Sequence, residues 1–363
     1  MPNLQPPPHS RPRPRPQFGY CLPIFANPTA GLFRTPNYRQ VDARTTLDLG
    51  RHAEEIGFDS LWVADHLMLG KDEAVLEGWT ILSALGGSTS RAAIGMIHQA
   101  HYFRSPALAA KMIATLDQIT AGRLILFYDF GRQQREHQAF HLPYPDDVET
   151  RVQETIDGLH LILDLWSADA PLTVQHGPYG VTNAVAAYGP VQRPHPPIWF
   201  GEVETGLLQA CAEFGQGWNT TPCGLDELNR RFGMLRNACS TAGRAYEDIE
   251  KSVELQILIG KDDADVRSQL HGLLAKAPDQ EAIDPDLRAY ATGSAVTAPA
   301  SFTDSTLIGS PADISRQLRS YVDAGADHFL LWFLDAPDRT GMDLFAEAVA
   351  PAFPEGRDAP QHA

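Results

Sequence analysis

The stretch Gly57-Phe-Asp-Ser-Leu-Trp-Val-Ala-Asp-His66 decides the fold class. It follows an amphipathic run, Asp42–Ile56, and puts a glycine where a helix would stop, just before an apolar run of strand length. Glycine in the left-handed conformation lets a chain turn sharply from helix into strand. The same arrangement recurs at Gly215-Gln-Gly-Trp218 and Gly325-Ala-Asp-His-Phe329. Working outward, strands are expected at Phe18–Phe25, Ser60–Ala64, Ala92–His98, Leu124–Phe130, Ile198–Gly201, Gly217–Thr221, Val253–Gly260 and His328–Leu334. Helical patterns lie between most of them, among them Glu77–Leu85, Pro106–Gln118, Thr150–Leu165, Leu225–Ala242 and Ala312–Ala324. Eight strands separated by helices predict a parallel sheet. In a body of this length they predict an α/β fold, a (β/α)8 TIM barrel with insertions. Pro171–Pro190 reads as a hairpin or loop, and Ala275–Ser305, without periodicity, as a lid or a disordered segment. A doubly wound pair of domains is the rival, but neither G-x-G-x-x-G nor G-x-x-x-x-G-K-[ST] is present.

The 363 residues are 43% hydrophobic, enough for a core without staples, and carry a formal charge of −16. That acidity argues against a nucleic-acid partner and an anionic membrane surface, both of which call for clustered Lys and Arg. No apolar run reaches the roughly 20 residues of a membrane span, and no signal-peptide core is present, so a cytoplasmic location is expected. Cys21, Cys211, Cys223 and Cys239 are widely spaced and indicate neither disulfides nor a zinc site. Residues 1–16, with seven prolines and three arginines, read as a disordered leader. One barrel domain is then expected over 17–355, with a short disordered tail over 356–363.

In a barrel the chemistry sits at the C-terminal strand ends. Those ends read Ala64-Asp65-His66, Gly95-Met96-Ile97-His98, Phe127-Tyr128-Asp129-Phe130-Gly131-Arg132, Trp199-Phe200-Gly201-Glu202 and Trp332-Phe333-Leu334-Asp335. Tyr102 and Arg104 follow shortly after the second of them. Aromatics, histidines and carboxylates around one mouth suit a planar, partly apolar cofactor. There is no G-x-S-x-G, no H-E-x-x-H and no H-x-H pair, so a serine hydrolase or metal site is not expected.

The segments Ala53–His66, Phe103–Asp117 with Gly122-Arg-Leu, Pro190–Gly201, Leu307–Asp313 and Ala324–Phe333 resemble, in order, the bacterial luciferase-like family of flavin- and deazaflavin-dependent oxidoreductases. The resemblance implies a barrel, often a homodimer, holding its cofactor at the mouth. It implies that Gly95, Met96 and Ile97 form a strand-three bulge against the ring, and that His66 and His98 face the substrate and manage protons. Asp65, Tyr128, Gly131, Arg132, Thr205 and Gly206 would bind the cofactor, and Phe25, Tyr102 and Trp332 would line the substrate pocket.

Two departures bear on the cofactor tail. Phe127-Tyr-Asp-Phe-Gly131 replaces a glycine-rich turn, and Gly201-Glu-Val-Glu-Thr-Gly206 replaces glycines and small hydroxyl residues. A carboxylate about 4 Å from a phosphate costs about 4 kcal/mol at an effective dielectric near 20. A helix N-terminus returns only about 0.3–1 kcal/mol. Either Asp129, Glu202 and Glu204 turn away, leaving Arg132, Thr205 and Gly206 as donors, or the tail binds weakly or not at all. The leading expectation is a monooxygenase in which reduced FMN from a separate flavin reductase reacts with O2 to oxygenate a small organic substrate. A deazaflavin-dependent hydride-transfer enzyme is the first alternative, and a catalytically silent barrel subunit the second.

Overall fold

The computed structural model describes residues 15–26 and 41–354. The expected leader up to residue 14, the tail from residue 355 and most of the loop 26–41 lie outside the described residues. Arg15, placed in the leader by the sequence, grips the Asp59 carboxylate with both guanidinium arms (3.0 and 2.7 Å).

The barrel strands are β1 (Gln17–Cys21), β2 (Ser60–Ala64), β3 (Ala93–Ile97), β4 (Leu124–Asp129), β5 (Ile198–Gly201), β6 (Gly217–Thr220), β7 (Glu250–Ile259) and β8 (His328–Phe333). The helices are α1 (Ala43–Glu55), α2 (Gly78–Ser88), α3 (Pro106–Ile119), α4 (Gln134–Ala139), α5 (Val148–Ser167), α6 (Thr205–Phe214), α7 (Leu225–Ala242), α8 (Asp263–Leu274), α9 (Pro285–Ala291), α10 (Ala300–Thr303), α11 (Pro311–Ala324) and α12 (Thr340–Ala348). Each barrel strand pairs in parallel with the next, and β8 pairs with β1 to close the ring. The (β/α)8 barrel expected from the alternation is thus the fold. No helix among the described residues is long and apolar enough to cross a membrane.

Aromatic rings fill the interior. Trp62 of β2 meets Trp199 of β5 across the barrel at 5.2 Å, and His328 of β8 lies edge-on to both. Gly95 makes room for this: a Cβ there would sit 2.4 Å from the Trp62 ring. In β7 the side chains alternate, with Val253, Leu255 and Ile257 between Ser252, Glu254 and Gln256, and all six are buried. Period-two alternation sends the two sets to opposite faces.

Several boundaries differ from expectation. The first strand ends at Cys21, because Pro23 lacks an N–H for the ladder; Phe25 instead forms an isolated bridge with Val75. β7 begins three residues early, at Glu250. Gly57 (φ 107) and Gly325 (φ 109) are left-handed as expected. Gly215 is not; at φ −73 it is extended, and its need is space, since a Cβ would lie 2.9 Å from the Cys211 carbonyl oxygen.

The segment over Pro171–Pro190 is a two-stranded hairpin, Leu172–His176 with Tyr179–Ala184. The segment expected to be irregular, Ala275–Ser305, holds α9 and α10 and leads into an extra strand, Thr306–Gly309, that pairs with the second half of β7. Val266, Leu270, Leu274, Ile283, Leu287 and Phe302 form a small core of their own there, touching the barrel through Leu258, Ile308 and Leu334.

Candidate active site

β2 delivers Asp65 and His66 to the rim. Asp65 is buried and spent on the protein: it takes both arms of Arg104 (2.7 and 3.0 Å) and the Ala100 N–H (2.9 Å). This ties the end of β2 to the chain after β3. His66, partly exposed, has Nδ1 2.9 Å from Oε1 of Glu136 on α4. Oε2 of Glu136 accepts the N–H groups of Leu67 (2.7 Å) and Met68 (3.2 Å). Burial would raise the Glu136 carboxyl, but the His66 contact and the two amides hold it below the ordinary range.

β3 pairs with β4 at Ile94–Leu124 and Gly95–Ile125, and pairing resumes at Gln99–Tyr128. One extra residue on the β3 side makes a bulge there. The Ile97–His98 peptide within it is cis. Met96 packs outward, its methyl against Gly78 of α2, so the bulge presents backbone at this point. His98 packs on Phe127 with the rings tilted by 33° (4.4 Å between ring centres), and its Nδ1 meets Asp129 Oδ2 at 2.9 Å. Asp129 is fully buried, which by itself would raise its pKa, yet the Arg132 charge and the His98 hydrogen bond hold it at about 2. It is ionised throughout the working range.

The three acids that depart from the family pattern find partners inside the protein. Asp129 is shared by His98 and Arg132 Nε (3.1 Å). Glu202 accepts the Thr221 N–H (2.9 Å) and pairs with Arg231 (3.2 Å). Glu204 pairs with both arms of Arg132 (2.6 and 3.1 Å). Asp129 and Glu202 therefore turn inward, while Glu204 engages the guanidinium that was expected to be a donor. Thr205 and Gly206 open α6, where Glu204 occupies the N-cap position without a side-chain capping bond. Gly131 is left-handed (φ 82) and leads the chain to Arg132.

Other expected residues lie deeper. Tyr128 is fully buried; its hydroxyl meets His101 Nδ1 (2.8 Å), and His101 Nε2 meets the Tyr179 hydroxyl of the hairpin (2.7 Å). Burial pushes His101 down to about 3, so its ring is neutral. Tyr102 donates to Glu154 (2.8 Å). Phe25 packs on Trp332 (5.7 Å), whose Nε1 donates to the buried Glu254 (2.8 Å). Sequence reasoning missed Glu136, Glu254 and Gln256. Gln256 is buried near the C-terminal end of β7, its Nε2 donates to Thr306 (3.2 Å), and its Oε1 has no partner among the described residues. Glu254 and Gln256 could have been read from the polar alternation of β7, whereas Glu136 had no such signal.

The chain is similar to the F420-dependent glucose-6-phosphate dehydrogenase of Kribbella flavida, 24% identical over 86% of this chain and 95% of that protein. It is also similar to the phthiodiolone/phenolphthiodiolone dimycocerosates ketoreductase of Mycobacterium bovis, 27% identical over 62% of this chain, and spans 63% of that protein's length. Among solved structures, an F420-dependent secondary alcohol dehydrogenase superposes with TM-score 0.70 at 20% identity, covering 95% of this chain and 100% of that one. A monooxygenase from Streptomyces bottropensis gives TM-score 0.70 at 20% identity, covering 92% and 99%. At these identities the superpositions speak to the fold. The profile of the luciferase-like monooxygenases matches residues 17–328, from the first barrel strand into the last, and the chain therefore belongs to that family of enzymes.

Proposed function

We propose that the protein is a deazaflavin-dependent oxidoreductase that interconverts a small alcohol and its carbonyl by hydride transfer. The observation that carries this reading is the rim pair His66 and His98. Each is bound through Nδ1 to a carboxylate, and neither Nε2 has a partner among the described residues. Removing hydride from an alcohol also requires removing the hydroxyl proton, and an oriented neutral imidazole is suited to accept it. The two relatives named above, one called F420-dependent and the other a ketoreductase, support this reading over the FMN one.

The residues fit a flat ring with both donors and acceptors on its edge. Gln256 Oε1 is a buried acceptor in need of a donor, and the β3 bulge offers backbone. The group, when bound, supplies the two-electron hydride acceptor. The protein's part is to orient and to manage the proton: His66 Nε2 receives it, Glu136 holds the ring, and Phe25, Phe127 and Trp332 keep water from the interior. Arg132, Thr205 and Gly206 would hold the anionic tail once Glu204 yields.

A second reading keeps the FMN monooxygenase, with O2 and a separate reductase. The buried aromatic wall of Phe25, Phe127 and Trp332 favours it, because oxygen chemistry on a reduced flavin needs a dry site. Titration with FMN and with deazaflavin, followed by incubation of oxidised deazaflavin with a panel of alcohols, separates the two. Alcohol-dependent bleaching of the deazaflavin is expected. Tight FMN binding with O2-dependent product and no deazaflavin binding would transfer the assignment to the second reading. Binding of neither would return the barrel to a silent role.

A further inference from the structure

We infer that Glu136 is a positioning residue that sets which nitrogen of His66 carries the proton; this rests on the hydride-transfer reading for its use, but not for its test. Glu136 lies on a helix of only six residues, yet it is 1% exposed and uses both oxygens on the end of β2. Its Oε2 is committed to two backbone donors, Leu67 and Met68, so the carboxylate cannot rotate without orphaning them. Its Oε1 then faces His66 Nδ1, and an ionised carboxylate only accepts. The proton of the neutral ring must sit on Nδ1, and Nε2 is left as a lone pair for the substrate hydroxyl.

The charges around His66 sharpen the assignment. Asp65, its neighbour in sequence, is already covered by both arms of Arg104. Among the described residues Glu136 has no arginine or lysine partner; besides His66 it meets only backbone amides there. When His66 takes a proton, Glu136 is the carboxylate that balances it. The second dyad differs, because Asp129 divides its charge between His98 and Arg132. His66 is therefore the proton acceptor of the reaction, and His98, whose carboxylate partner is shared with Arg132, serves as a hydrogen-bonding group.

Glu136→Gln gives a sharp test. The two backbone donors will claim the amide oxygen, which turns the NH2 group toward His66 and makes Nδ1 an acceptor. The ring proton must then move to Nε2. Histidine nitrogen NMR of the cofactor-free protein should show His66 protonated at Nδ1 in the wild type and at Nε2 in Glu136→Gln, with the folded spectrum otherwise kept. Turnover of a reactive alcohol with deazaflavin should fall at least about a hundredfold in the variant, in line with loss of a general base. A wild-type His66 protonated at Nε2, or a variant that keeps the proton on Nδ1, overturns the proposal. The wild-type measurement decides even if the variant does not fold. If no alcohol turns over with either cofactor, the functional reading fails separately and the tautomer result still judges this one.

Discussion

Arg132 and Glu204 meet in a two-armed ion pair between the loop after β4 and the start of α6. The Arg132 guanidinium also lies over the Phe130 ring (4.9 Å) and reaches Asp129, so it is held on three sides. Burial would lower its pKa, but Asp129 and Glu204 keep it raised, and it remains a cation. Any anionic tail that comes to Arg132 must compete with Glu204. Glu204→Ser should tighten flavin mononucleotide binding about tenfold, about 1.4 kcal/mol, with riboflavin, the same ring without phosphate, unchanged. Equal effects on both ligands would mean that Glu204 acts elsewhere.

Gly95 lies against the flat of Trp62, which is itself wedged against Trp199 and His328. The indole has no room to retreat. Gly95→Ala should cost about 1–3 kcal/mol, as overpacking of a filled core does, read as a lower denaturant midpoint with unchanged slope.

His101 is buried between two tyrosine hydroxyls and stays neutral down to about pH 3. The unfolded chain takes up a proton near 6.5, while the fold refuses it until far lower. Stability from this residue is therefore complete above pH 6.5 and is lost progressively as the pH falls toward 3, by on the order of 4 kcal/mol. His101→Phe removes the titrating group and leaves the buried Tyr128 hydroxyl without its partner, while Tyr179 keeps a 3.4 Å bond to Glu154. It should be less stable than the wild type at pH 7 and should show a shallower loss between pH 6.5 and 4 in urea melts.

Asp335 has the opposite sign. Burial raises it to about 6, despite the hydrogen bond from the Gly341 N–H (2.6 Å). Between its unfolded value near 4 and about 6, rising pH ionises the carboxyl in the unfolded chain first, so folding is progressively penalised. Asp335→Asn should raise stability by about 1–2 kcal/mol at pH 7.5 and leave it nearly unchanged at pH 4. Comparing melting temperatures at the two pH values checks this.

The barrel could be read from local signals that survive tertiary context. Gly57 and Gly325 stop their helices as their positions demand, and β2, β5 and β8 keep nearly the expected limits. Where the sequence misled, a competing cause is visible. Gly215 serves close packing rather than a turn, and the hexapeptide of α4 has no apolar stripe to announce a helix. The site was half legible in the same way. Position at a strand end singled out His66, His98 and Arg132, but what they touch was hidden. Their partners lie 70, 31 and 72 residues away, at Glu136, Asp129 and Glu204. Pairings that only the closed barrel creates leave no trace in spacing along the chain.

The small core around Leu270 and Phe302 has a consequence of its own. It folds on itself beside the rim and leans on the barrel at only a few side chains. Such an annex can open and reclose while the staves of the barrel stay shut. It can also be lengthened or exchanged without redrawing them, which makes it the natural place for this architecture to vary what it admits.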